Sequence, residues 1–191
     1  SEEFGLYFAR IQLKSTPHVV HGNALTLDWN DVLPAQRCSY VLGNPPFVGA
    51  KFTSEAQRED ARLAFNGIDN AGLLDFVAAW YVKATQYLQP VVPRAGVEPA
   101  RPRCAFVSTN SITQGEQVGV LWGWLLAQGV HIHFAHRTFS WSNEAKGKAA
   151  VHCVIVGFGL DDRPDKTLYE YEDIKGEPLA VPAKNINPYL V

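Results

Sequence analysis

The stretch Val41–Lys51 reads VLGNPPFVGAK. It opens as an apolar run of the kind that continues as a buried strand. Two prolines then stop it, because proline gives no N–H to a ladder and its ring fixes φ. In an open parallel sheet, ligands bind beyond the carboxyl ends of the strands. Asn44, Pro45, Pro46 and Phe47 are therefore expected at such an end. Asn44 offers a side-chain carbonyl. The prolines stiffen the turn and leave neighbouring carbonyls free to face a ligand. Phe47 adds a flat apolar surface. Two acceptors beside a stacking face suit a planar heteroaromatic that carries an amino group. Both amine hydrogens are held, and the nitrogen lone pair points at an electrophile opposite.

Working outward, "FGLYFARIQL" (Phe4–Leu13) has helical spacing, and acidic residues precede it. "HVVHGNAL" (His18–Leu25) reads as a short strand and a turn broken at Gly22-Asn23. "DWNDVLP" fits a loop or one helical turn, and "CSYVLG" (Cys38–Gly43) a buried strand. The polar segment 53–70 suggests a short helix with a mobile loop. "GLLDFVAAWYVKATQYL" (Gly72–Leu88) predicts a long apolar helix, and the Pro-rich 89–103 a loop. "CAFVSTNS" (Cys104–Ser111) predicts a strand, and Gly115–Gly129 a helix ending at glycine. "HIHFAHRTF" and "AAVHCVIVGFG" predict two strands joined by a polar turn. After Leu160 the chain is polar, Pro-rich and without periodicity.

Alternating helices and apolar strands indicate an α/β fold with a mostly parallel sheet. The last two strands are expected as an antiparallel hairpin at one edge. Residues 1–160 would form one domain, and 161–191 a polar linker.

With 191 residues, 47% hydrophobic and 19% charged, the chain can bury a core. No apolar run approaches the ~20 residues that span a bilayer, so no membrane partner is expected. The beginning lacks the basic and apolar pattern of a signal peptide, and no methionine occurs anywhere. A fragment of a longer protein is one reading of this. Cys38, Cys104 and Cys153 are odd in number and lie in apolar stretches, as buried, reduced thiols of a cytoplasmic protein do. The net charge of −2 argues against a nonspecific nucleic-acid coat, though not against an enzyme that meets DNA through a local patch. His131, His133, His136 and His152 lack carboxylates or thiols at tight ligand spacing, apart from Cys153 beside His152. They read as ordinary strand histidines, with no metal site.

"NPPF" after an apolar strand resembles the catalytic motif of S-adenosylmethionine (SAM)-dependent DNA adenine-N6 methyltransferases. "HGNAL" is similar to the loop that meets the cofactor's adenine. "LLDFVAAWYVKATQYL" resembles the helix after the catalytic loop. "GNPPFVGAK", "FVSTNSITQGEQV" and "FAHRTFSWSNEAKGKAAVHCVIVGF" resemble the MmeI-like group, in which nuclease, methyltransferase and target recognition share one polypeptide. The likeness covers residues 1–160 and implies a catalytic domain of partial class I, Rossmann-like methyltransferase fold acting on double-stranded DNA, with 161–191 leading toward a target-recognition domain.

The resemblance implies Asn44 and the Pro45 carbonyl as the amine clamp and Phe47 as the stacking face on an extruded adenine. Phe139 would press from the other face or edge. Asn23 and Ala24 are implied near the cofactor adenine, with Asn23 standing where the family often has an acid. Asp75 is either an exposed first-turn acid or a group facing the cofactor cleft. Arg137 and Lys148 form a basic cluster near Phe139, either as a solvated turn or as phosphate contacts beside the flipped base. The family's glycine-rich SAM loop has no counterpart. The chain is thus expected to begin partway through the domain, without the strands that hold the methionine half of SAM, and to be inactive alone. Two other classes stand beside this: a truncated, non-catalytic piece that only binds DNA or a partner, and an NPP-type enzyme acting on RNA or on protein glutamine.

Overall fold

A computed structural model of the chain describes residues 16–89, 102–141 and 151–191. The helix expected at Phe4–Leu13, the loop at 90–101 and Lys148 lie outside the described residues.

A six-stranded sheet organises the molecule, in the order β1-β2-β4-β3-β5-β6. The strands are β1 (Tyr40–Gly43), β2 (Arg103–Thr109), β3 (His131–Trp141), β4 (Val151–Gly159), β5 (Lys166–Glu170) and β6 (Leu179–Ala183). β1 pairs parallel with β2, and β3 with β5; the β2–β4, β3–β4 and β5–β6 pairings are antiparallel. The α/β class is as expected, and the sheet is mixed. β1, β2, β3 and β5 all point the same way, so Gly43, Thr109, Trp141 and Glu170 lie toward one end of the sheet.

The hairpin β3–β4 is antiparallel as expected, yet it sits in the middle of the sheet. Residues 161–191, expected as a polar linker, supply β5 and β6 and take the edge instead. The strand expected within His18–Leu25 is absent. Val19 is 81% exposed, and no described strand pairs with this segment. An apolar run without a ladder partner has nothing to hold it extended. β1 is also less buried than an apolar run suggests: among the described residues it pairs on one side only, and Leu42 is 73% exposed.

One face of the sheet is packed. Register places Gly43, Phe106, Val156, Ala135 and Leu168 in one line across five strands, and the last four are buried. Helix α3 (Ala78–Leu88) lies against it and is apolar on nearly every side, as a helix sunk in a core must be. Tyr81 stacks on Phe158 at 5.3 Å, meets Phe106 edge-on, and bonds Ser108 Oγ at 2.8 Å through its buried hydroxyl. A second helical run also packs there. It passes from α4 (Gly115–Gln117) through a π-helical stretch, Val118–Trp122, into α5 (Gly123–Ala127). It ends at Gly129, whose φ of +82° is the left-handed conformation a helix terminus favours in glycine. Trp122 is fully buried and donates to the Ile112 carbonyl at 2.9 Å.

The remaining elements are small. α1 (Trp29–Val32), where a loop or one helical turn is expected, is a single turn capped by Asp28. α2 (Glu55–Ala64) is longer than its polar sequence implied, and a reciprocal Ser54–Gln57 capping box starts it. The long helix expected from Gly72 begins only at Ala78. A 3₁₀ turn at Ala71–Leu73 and a loop through Asp75 come first.

Candidate active site

Residues Asn44–Phe47 leave the end of β1 as an irregular turn. Pro45 is buried, while Asn44 and Pro46 are exposed. Phe47 is half-buried and packs one side against the main core. Among the described residues, neither the Asn44 side chain nor the Pro45 carbonyl has a hydrogen-bond partner. Gly43 lets the strand end close over Phe106, whose ring would lie 3.2 Å from an added Cβ.

The turn is held from behind. The Phe76 N–H donates to the Val48 carbonyl at 3.0 Å. The Ala50 N–H donates to Asp75 Oδ1 at 2.9 Å, and the Ser111 hydroxyl donates to Asp75 Oδ2 at 2.5 Å. The Asp75 N–H in turn donates to Gln117 Oε1 at 3.0 Å. Both carboxylate oxygens of Asp75 are thus committed to the protein. The residue anchors the segment after the Asn44–Phe47 turn to the ends of β2 and α4. Its sequence assignment to a cofactor cleft gains no support from this geometry. Ser111 and Gln117 were missed from sequence. The only signal for them was polar residues directly after an apolar strand, at the end where sites form.

Asn23 is also occupied. Its Oδ1 accepts from the Leu25 N–H at 3.0 Å, and its Nδ2 donates to Asp60 Oδ2 at 2.7 Å. The Ala24 carbonyl takes the Trp29 indole N–H at 2.8 Å. The Ala24 N–H has no acceptor among the described residues. The Ala24 N–H is thus an unpaired backbone donor in a loop braced by Asn23.

Phe139 lies at the same end of the sheet as Asn44. Register places it beside Cys153 of β4, which in turn faces Thr109 of β2. It is half-buried in an aromatic group. Tyr171 stacks on it at 5.5 Å and 23°, His136 meets it edge-on at 6.4 Å, and Trp141 lies at 6.2 Å. Burial holds His136 below the usual imidazole range, and burial followed by the Glu177 charge pushes the Tyr171 phenol up. Arg137, the next sequence candidate, pairs with Glu170 at 3.1 Å with both side chains partly exposed. The structure brings Asp75 onto the turn and places Phe139 at the same sheet end. No hydrogen bond, ion pair or ring-to-ring pairing among the described residues joins Asn23, Arg137 or Phe139 to Asn44–Phe47.

A cavity of about 530 Å³ lies between α2 and the loop before α3, lined by Ala50, Arg58, Phe65, Asn70 and Phe76 among others. None of Asn44–Phe47 lines it. Among the described residues there is no cluster of His, Cys, Asp or Glu able to hold a metal, and no helix long and apolar enough to cross a membrane.

A family model described as MmeI, DNA-methyltransferase domain, matches residues 1–170. The chain belongs to this family. A relative named DNA methyltransferase A, from Bacillus subtilis (strain 168), is 40% identical over 171 residues, 88% of this chain and 18% of its own length. Among solved structures, the type IIL restriction–modification enzyme MmeI in complex with DNA superposes with a TM-score of 0.84 at 60% identity. That match covers 99% of this chain and 24% of MmeI. A modification subunit of a putative type I restriction enzyme from Vibrio vulnificus YJ016 matches at a TM-score of 0.51 and 15% identity, over 86% of this chain and 30% of its own, and shares the fold. The chain thus spans about a quarter or less of the length of MmeI and of the Bacillus subtilis relative.

Proposed function

We propose that this chain carries the acceptor side of an adenine-N6 DNA methyl-transfer site within a restriction–modification enzyme. The observation that carries the proposal is the pair of unpaired acceptors, Asn44 Oδ1 and the Pro45 carbonyl, in the turn that ends β1 and leads into Phe47. An exocyclic amine has two hydrogens to place, and this turn offers two acceptors. The amine must leave the duplex to reach them, at a cost of a few kcal/mol. Phe47 offsets part of that cost by stacking, and Phe139 would cover another side of the base. Accepting both N–H bonds enriches the nitrogen lone pair and aims it away from the turn. The lone pair forms the new N–C bond, and the amine then gives up one proton to solvent. When bound, SAM would supply an electrophilic methyl group, the S–C bonding pair staying on its sulfur. The Ala24 N–H is the donor this chain offers to the adenine ring of SAM.

Asn44→Ala in the complete gene product that contains these residues tests the assignment. Methyl transfer into genomic DNA is expected to fall about 10²–10³-fold, with N6-methyladenine the lost product when the DNA is digested to nucleosides. Transfer at the unaltered rate would remove Asn44 from the chemistry. Appearance of the methyl group on cytosine, RNA or glutamine would redirect the substrate class.

A further inference from the structure

Tyr171 follows β5, in the segment that reads as featureless in sequence. We propose that Tyr171 is a positioning residue for methyl transfer: its ring backs Phe139, and its hydroxyl, tied to His136, fixes the plane against which the extruded base rests. The inference rests on the function proposed above and extends it to a residue that touches neither substrate nor cofactor.

The geometry begins with a bulge. His136 pairs with Ile155 and Phe139 with Cys153, so three steps along β3 match two along β4. Side chains three apart on a regular strand point to opposite faces. The extra residue, at Arg137-Thr138, returns Phe139 to the face that carries His136. On that face His136 and Tyr169 are cross-strand partners and lie ring on ring, 4.1 Å apart and 4° from parallel. The Tyr171 hydroxyl bonds His136 Nδ1 at 2.8 Å, and the Tyr171 ring stacks on Phe139. Four aromatic rings thus run Tyr169, His136, Tyr171, Phe139, each fixed by the one before it. Rotation about the Cβ–ring bond of phenylalanine is soft. Phe139, near the end of its strand, would otherwise choose its own plane. A base that must meet a clamp to within fractions of an ångström gains from a ring already held.

The test uses the complete gene product, tritiated SAM and genomic DNA free of adenine methylation. Tyr171→Ala is expected to lower kcat about tenfold with KM for DNA unchanged, and Tyr171→Phe, which keeps the stack, to recover to within about threefold. The double variant with Phe139→Ala should be no slower than Phe139→Ala alone, because Tyr171 acts through that ring. If Tyr171→Ala loses its cooperative thermal transition, Tyr171→Leu carries the same test by filling the space without a stack. Wild-type rates in these Tyr171 variants, or losses that multiply in the double variant, would overturn the inference. Phe139→Ala at the wild-type rate would instead strike the base-stacking role itself.

Discussion

The two ends of the central strands treat polar groups in opposite ways. At the ends of β1 and β3, Asn44 stands exposed with no partner among the described residues, and an aromatic group lies half-open beside Arg137. At the other end, where β3 and β5 begin, His133 and Lys166 are buried and engaged. His133 is almost fully buried, with Nε2 at 2.7 Å from the Asp161 carbonyl. Lys166 is buried too, and reaches Asp162 at 2.7 Å. One oxygen of Asp161 is left over, buried without a partner among the described residues. Buried polar groups that find partners hold a fold together, whereas preorganised groups left unpaired are what a site keeps for its ligand.

The contrast can be broken from either end. Asn44→Ala, the largest effect on activity, should leave the melting temperature unchanged or raised, since no internal bond is lost. A lower melting temperature would mean that Asn44 is part of the scaffold. Asp75→Ala should do both kinds of damage. It frees the Ala50 N–H and the Ser111 hydroxyl, for an expected loss of about 2 kcal/mol in urea unfolding and about 100-fold in methyl transfer. A loss in only one of the two measurements would show that the anchor and the turn are uncoupled. His133→Ala should cost about 1–3 kcal/mol by leaving a carbonyl unpaired, with transfer per folded molecule unaltered.

A smaller effect concerns His136. Its folded-state pKa lies below the unfolded value of about 6.5. The unfolded chain therefore binds the proton first, and stability falls as pH drops from about 6.5 through the lower folded value. His136→Gln should flatten that part of the stability–pH curve; an unchanged slope would assign it to other groups. Lys166→Met, the smallest, should leave stability equal or slightly higher, because it replaces a buried charge and leaves Asp162 in solvent.

The end of β1 was more legible in sequence than the edge of the sheet beyond β3. Pro45-Pro46 after an apolar run marks a strand end without ambiguity, because proline cannot continue the ladder. The apolar core of α3 and the glycine after α5 were equally plain. β5 was not. Its buried side carries Lys166 beside Leu168, and a charge on the inner face erases the alternation by which a strand is recognised. Missing β5 meant missing Tyr171, and so the support behind Phe139. Asp75 was visible as an acid in an apolar stretch, but its role depends on Ala50 and Ser111. Those residues come near it only when three distant segments meet.

That meeting has a kinetic side. The three hydrogen bonds of Asp75 close sequence separations of 25, 36 and 42 residues. Contacts so distant in sequence carry their loop-closure entropy before they return any energy, and tend to form after the local helices. Variants at Asp75 should then speed unfolding and barely slow folding. On this ordering the turn that would hold the amine is expected to take its shape after the helices beside it.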